Sequence, residues 1–156
     1  MPKIDIKNLP VQIGSGYPAP FAEQTQGRSK KRLGDALGEK GGLDQFGVNL
    51  TTIKPNAGTA QRHWHENEDE FVFILSGEAT LVEDNGEVIL RAGEAASFKA
   101  GVANGHCILN KSEKDVVLLE IGTRVKTERA HYPDIDLLAE KTKTGYAFKH
   151  KDGTPY

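Results

Sequence analysis

The chain has 156 residues, with 20 basic residues against 22 acidic ones for a net charge of −2. At that length a single domain removes roughly two thirds of its unfolded surface from water, so a core forms without disulfides. The balanced charge gives no electrostatic reason to expect nucleic acid or an anionic membrane as partner.

Seventeen glycines, above the average of about 7%, announce many turns and therefore many short strands. Residues 1–45 are rich in Gly, Pro and charge, and read as an arm with turns, wrapped on the core or on a neighbouring subunit. Within it the run Lys30-Lys31-Arg32 reads as a solvated loop, with anion binding as the lesser alternative. From residue 46 the chain changes to short segments rich in β-branched and aromatic residues: 46–54, 60–65, 70–75, 79–83, 87–90, 95–99, 106–110 and 115–121. Turn chemistry separates them, with Asp84-Asn85-Gly86 the clearest hairpin signal. Eight such segments predict an all-β antiparallel sandwich or small barrel over residues 46–125. In the extension 126–156, residues 133–140 read as a short helix starting near Asp134, and 146–156 as a final strand broken by a Lys151-Asp152-Gly153 turn.

The third segment carries a further expectation. Glu70, Val72 and Ile74 share one face and Phe71, Phe73 and Leu75 the other, so both faces are largely apolar. The outer face needs cover from the arm or from a second subunit, and a homodimer is the expectation. Cys107 has no intramolecular partner for a disulfide. The first residues lack the apolar stretch of a signal peptide, and the longest apolar runs, 71–75 and 116–119, fall far below the roughly 18 residues of a membrane helix. The default expectation is a soluble cytoplasmic protein with no membrane partner.

His63-Trp64-His65 lies in a predicted strand, where residues two apart share a face. Both imidazoles project together and Trp64 points away. The polar turn Glu66-Asn67-Glu68-Asp69 brings Glu70, on the next strand, back to face them, and His106 opens a later segment. Three imidazoles and one carboxylate suit Mn, Fe, Co, Ni, Cu or Zn rather than Mg or Ca, and leave positions open for water or substrate. The plainer alternative is two exposed histidines on a strand edge and one hydrogen-bonded core histidine.

The stretch 58–77, with Gly58, His63, His65, Glu70 and Gly77, resembles the first motif of the cupin superfamily, and 93–110, with Gly93, Gly101, His106 and Asn110, resembles the second. Lys99 stands where that motif usually has Pro. His106 lies five residues after Gly101 instead of three, which puts Asn104 at the usual His position and makes it the rival ligand. Gly16-Tyr17-Pro18-Ala19-Pro20-Phe21, Tyr132-Pro133-Asp134 and Lys151-Asp152-Gly153-Thr154-Pro155-Tyr156 extend the resemblance to single-domain bacterial cupins over nearly the whole chain. Some members of that group carry the label sugar phosphate isomerase, inferred from fold similarity, and fold does not fix reaction.

The resemblance implies a double-stranded β-helix, or jelly-roll barrel, holding one divalent transition metal ion on His63, His65, Glu70 and His106. It implies a metal-dependent enzyme acting on a small polar molecule, by isomerisation or, as the alternative, by dioxygenase or decarboxylase chemistry. A non-catalytic cupin that only binds a small ligand is the competing class. A convergent Arg, Tyr or carboxylate beside the open metal positions favours the enzyme. For an anionic substrate Arg124 is the candidate binding residue, because it follows a strand end, whereas Arg62 faces away from its neighbour His63.

Overall fold

The computed structural model describes residues 3–35 and 42–156; residues 1, 2 and 36–41 of the arm lie outside the described residues. In chain order the strands are β1 (Gln12–Ile13), β2 (Arg28–Arg32), β3 (Phe46–Ile53), β4 (Trp64–His65), β5 (Glu70–Ser76), β6 (Glu78–Glu83), β7 (Gly86–Arg91), β8 (Ala95–Phe98), β9 (Cys107–Leu109), β10 (Val116–Thr123), β11 (Arg129–Tyr132), β12 (Leu137–Thr142) and β13 (Gly145–Lys149). They form a six-stranded sheet in the order β1-β2-β3-β10-β5-β8, a four-stranded sheet β13-β12-β11-β4 and a three-stranded sheet β7-β6-β9, and every pairing is antiparallel.

The all-β expectation holds; among the described residues the strands pair as three sheets rather than one closed ladder. β4 and β9 are too short to carry continuous pairing, and single bridges at Gly58↔Leu109 and His63↔His106 stand outside the named strands. The main core lies where inward residues meet, around Ile53, Ile74, Ile108, Val116 and Leu118, each at most 2% exposed. A second cluster joins Ala130, Tyr132, Leu137 and Ala139 to Tyr17, Phe21 and Phe148. The turn between β5 and β6 depends on Gly77: its φ is +87°, and a Cβ there would stand 2.7 Å from the Asp115 carbonyl oxygen.

Two expectations are corrected. Residues 133–140 do not form a helix; among the described residues the only helical turns are the 3-10 turns Ile6–Asn8 and Glu23–Thr25. Leu-Leu-Ala-Glu is a good helix former, but in β12 Leu137 and Ala139 are buried alternately with half-buried Leu138 and Glu140, and β11 and β13 pair on its two sides. Tertiary pairing overrides a propensity of a few tenths of a kcal/mol per residue. The basic run of the arm is also no solvated loop. It is part of β2, which pairs with β3 from Arg28↔Ile53 to Arg32↔Asn49 and so covers an edge otherwise open to association. Among its described residues the arm thus lengthens the sheet in its own plane, and on the outer face of β5 Phe71 is 38% and Leu75 44% exposed. Among the described residues no helix is long and apolar enough to cross a membrane.

The alternation in β5 is testable. Ile74→Ala is expected to lower the unfolding free energy by about 3 kcal/mol in urea denaturation, and Leu75→Ala by less than about 1 kcal/mol.

Candidate metal centre

An antiparallel bridge sets two of the candidate ligands opposite each other. His63 N–H donates to the His106 carbonyl (3.1 Å) and His106 N–H to the His63 carbonyl (2.8 Å), so both side chains leave the backbone on one face. His65, two residues on, shares that face; its ring centroid lies 4.9 Å from that of His63, which in turn lies 5.1 Å from that of His106. Glu70 enters at the start of β5, opposite Gly122 of β10 and Phe98 of β8. All four side chains converge on one oxygen: Glu70 Oε2 is 2.9 Å from His106 Nε2, 3.4 Å from His65 Nε2 and 3.7 Å from His63 Nε2. One ligand atom each from His63, Glu70 and His106 falls within a mutual 4.8 Å.

The surroundings fix the rings. His63 Nδ1 sits 2.8 Å from the Gln61 carbonyl, an acceptor only, so Nδ1 carries the proton and Nε2 presents a lone pair to the centre. His65 Nδ1 lies 3.3 Å from Oε1 of Glu128, a buried carboxylate that also accepts from Glu66 N–H (2.9 Å) and Asn67 N–H (2.8 Å). One side chain therefore holds both the 66–69 turn and an imidazole. His106 stacks flat on Phe98 with ring centroids 3.6 Å apart.

Burial pushes the His63 imidazole down to about pKa 4 against the pull of Glu70. Burial also opposes charge on His65, but Glu70, Glu128 and Glu68 outweigh it and raise its pKa. Burial disfavours the Glu70 anion too, yet its bond to His106 and the neighbouring imidazoles of His65 and His63 hold its pKa well below the usual carboxylate value. Near neutral pH His63 is neutral and Glu70 anionic, the forms that bind a cation. His65 Nε2 is buried, aimed at the Glu70 carboxylate and without a hydrogen-bond partner. A cation among the four groups would satisfy it.

Asn104 points elsewhere: its Nδ2 donates to Glu83 Oε1 (2.9 Å) and its Oδ1 accepts from Asp84 N–H (3.0 Å). Asn110, at the end of the second motif, is fully buried and structural, donating to the Ile53 and Lys114 carbonyls. Arg62 turns away from the centre and ties Asp134 to Asp84. His131 stacks on Trp64 and pairs with Glu66, and His150 pairs with Asp136. Cys107 is buried and unpaired, and burial pushes its thiol up to about pKa 11.

A cavity of about 340 Å³ opens over the four groups between the six- and four-stranded sheets. Arg124 lies on its wall, with Tyr17, Tyr146 and Glu68. Glu68 Oε1 accepts from Lys141 Nζ (2.5 Å) and Val125 N–H (3.1 Å), and its Oε2 accepts from the Tyr146 hydroxyl (3.3 Å). Sequence reasoning passed over Glu68 and Glu128, the first because charged turn residues are usually solvated, the second because nothing local links it to His65.

The cupin domain pattern matches residues 49–122, the stretch that holds His63, His65, Glu70 and His106. A sugar phosphate isomerase of the cupin superfamily from Silicibacter pomeroyi is 42% identical, over 99% of this chain and 96% of that one, with a TM-score of 0.92. The chain belongs to the cupin superfamily. This cupin also resembles a proposed sugar phosphate isomerase from Acidithiobacillus ferrooxidans, at 28% identity over 83% of this chain and 80% of that one, with a TM-score of 0.72. The polyketide cyclase RemF from Streptomyces resistomycificus shares the fold at 19% identity, over 79% of each chain, with a TM-score of 0.63. No curated protein matches this cupin.

Removing the Glu128 carboxylate would orphan two backbone donors at once. Glu128→Ala is expected to cost about 3 kcal/mol of stability, measured by denaturant unfolding.

Proposed function

We propose that this cupin is a metal-dependent enzyme that isomerises a small polar, carbonyl-bearing molecule of the sugar phosphate class, with His63, His65, Glu70 and His106 holding one divalent transition metal ion. The observation that carries the reading is the convergence of three imidazoles on Glu70 Oε2, with the His65 nitrogen buried and unpartnered, at the floor of a cavity. A divalent ion there supplies Lewis-acid polarisation of a carbonyl or hydroxyl oxygen. The likeness to a sugar phosphate isomerase over nearly the full length of both chains supports the reaction class.

The protein's own side chains supply the rest. Isomerisation through an enediol moves one proton between neighbouring carbons and a second from the hydroxyl oxygen to the carbonyl oxygen. Glu68 is the group we assign to the carbon-to-carbon transfer, because it stands in the cavity outside the ligand set. Lys141 and Val125 N–H engage its Oε1, leaving Oε2, with one long bond from Tyr146, to take the proton from the carbon beside the carbonyl and return it to the adjacent carbon. Three tyrosines, Arg124 and this carboxylate around the centre favour an enzyme over a passive binder, whose cavity would lack such groups. The homodimer belongs to the same reading, since Phe71 and Leu75 are exposed on the outer face of β5. Sedimentation should give twice the monomer mass, and a dilution-stable monomer would contradict it.

Protein purified without added metal should contain about one ion per chain by elemental analysis, and Asn104→Ala should keep it. His63→Ala and His106→Ala should lose it; full metal content in His106→Ala would remove that residue from the ligand set. Incubated in deuterium oxide with a panel of aldose and ketose phosphates, the protein should exchange the proton beside the carbonyl of its substrate. Glu68→Gln should keep its metal and lose at least about 100-fold in exchange rate. Unchanged exchange in Glu68→Gln would move the base elsewhere, and dioxygen consumption without exchange would replace the isomerase by the oxygenase alternative.

A further inference from the structure

We propose that the inward face of β2, together with Arg124, is the subsite that binds the phosphate group of the substrate. This rests on the reading above that the cavity receives the substrate. In a strand alternate residues share a face, and Arg28, Lys30 and Arg32 all line the cavity. Ser29 and Lys31 take the other face, where Lys31 Nζ donates to the Ile6 and Lys7 carbonyls. The register places β2 three strands from Glu70, across β3 and β10. That is about 14 Å between backbones, and the long basic side chains shorten it. A small molecule therefore reaches from the candidate metal centre to this wall.

On the row of Glu70 the sheet carries two glycines, which open space above it. Gly47 of β3 and Gly122 of β10 are direct cross-strand partners, and Gly122 also faces Glu70. A Cβ at Gly47 would lie 2.6 Å from the Arg124 guanidinium, so the glycine leaves room for that guanidinium against the strand. The wall has four cations and two carboxylates. Glu120 pairs with Arg28 (3.0 Å) and accepts from Thr51 Oγ1 (2.6 Å); Asp35 at the rim is shared by Arg32 (3.3 Å) and Arg124 (3.4 Å). The surplus positive charge matches a dianion. Arg28 Nε is buried with no partner. Burial and then the neighbouring Arg28, offset by Glu120, with Arg32 and Arg124 beyond it, push the Lys30 ammonium down to about pKa 8, as expected where positive charge is in excess.

The test uses inorganic phosphate and chelator-treated protein at near-neutral pH, followed by isothermal titration calorimetry, so that no metal contributes. The wild-type protein should bind phosphate. Lys30→Gln and Arg32→Gln should each weaken it at least tenfold, with melting temperatures checked alongside, while Lys31→Gln on the opposite face should leave it unchanged. Equal weakening by Lys30→Gln and Lys31→Gln, or no binding by the folded wild type, would overturn the subsite. Malonate bound as tightly as phosphate would overturn the assignment to phosphate. If purified protein carries no metal yet binds phosphate through Lys30, the metal reading fails and the subsite stands. Metal loading without phosphate binding gives the reverse.

Discussion

The constraint on which the site depends is the crowding of three imidazoles around a single carboxylate oxygen in a buried place. Burial alone would neutralise every one of these groups. Instead the Glu70 anion is held by the imidazoles, and each imidazole has a separate device that fixes its ring: a backbone carbonyl for His63, Glu128 for His65 and the Phe98 ring for His106. The arrangement still leaves His65 Nε2 and His106 Nδ1 buried without partners. Folding would remove such atoms if it were the only requirement, so their persistence is the physical mark of a site shaped for something further.

The fold around it is asymmetric in a way that follows from this. Where the inward rows of the six-stranded sheet are distant from Glu70 they are apolar, as at Ile53, Ile74, Val116 and Leu118. Nearer Glu70 the same faces carry Gly122, Gly47, Asn49 and Glu120, and a cavity takes the place of packed core. Stability is concentrated at one end of the sheet and polar chemistry at the other. The four-stranded sheet closes the cavity from the far side, which is why Tyr132 and Tyr146 meet the same space as the histidines.

Much of this was legible in the residues. Strand alternation put His63 and His65 on one face, and the 66–69 turn returned Glu70 to them, because both rules are local. The displaced His106 kept the parity of a ligand, and the structure brings it to Glu70 while Asn104 binds Glu83 and Asp84. Two features were hidden. Residues 137–140 look helical by propensity, and only the flanking strands β11 and β13 make them a strand. The Lys30-Lys31-Arg32 run looks like solvated charge until its pairing with β3 separates Lys30 and Arg32 from Lys31. Glu128 lies 63 residues from His65 along the chain, and no spacing rule links them.

Anomalous diffraction from crystals of protein purified without chelator, recorded at the absorption edge of the metal identified by elemental analysis, tests the central claim most directly. The account predicts one strong peak within bonding distance of His63 Nε2, His65 Nε2, a Glu70 carboxylate oxygen and His106 Nε2. A peak elsewhere in the protein, or protein that carries no metal at all and keeps Glu70 hydrogen-bonded to His106 as its only partner, would contradict it.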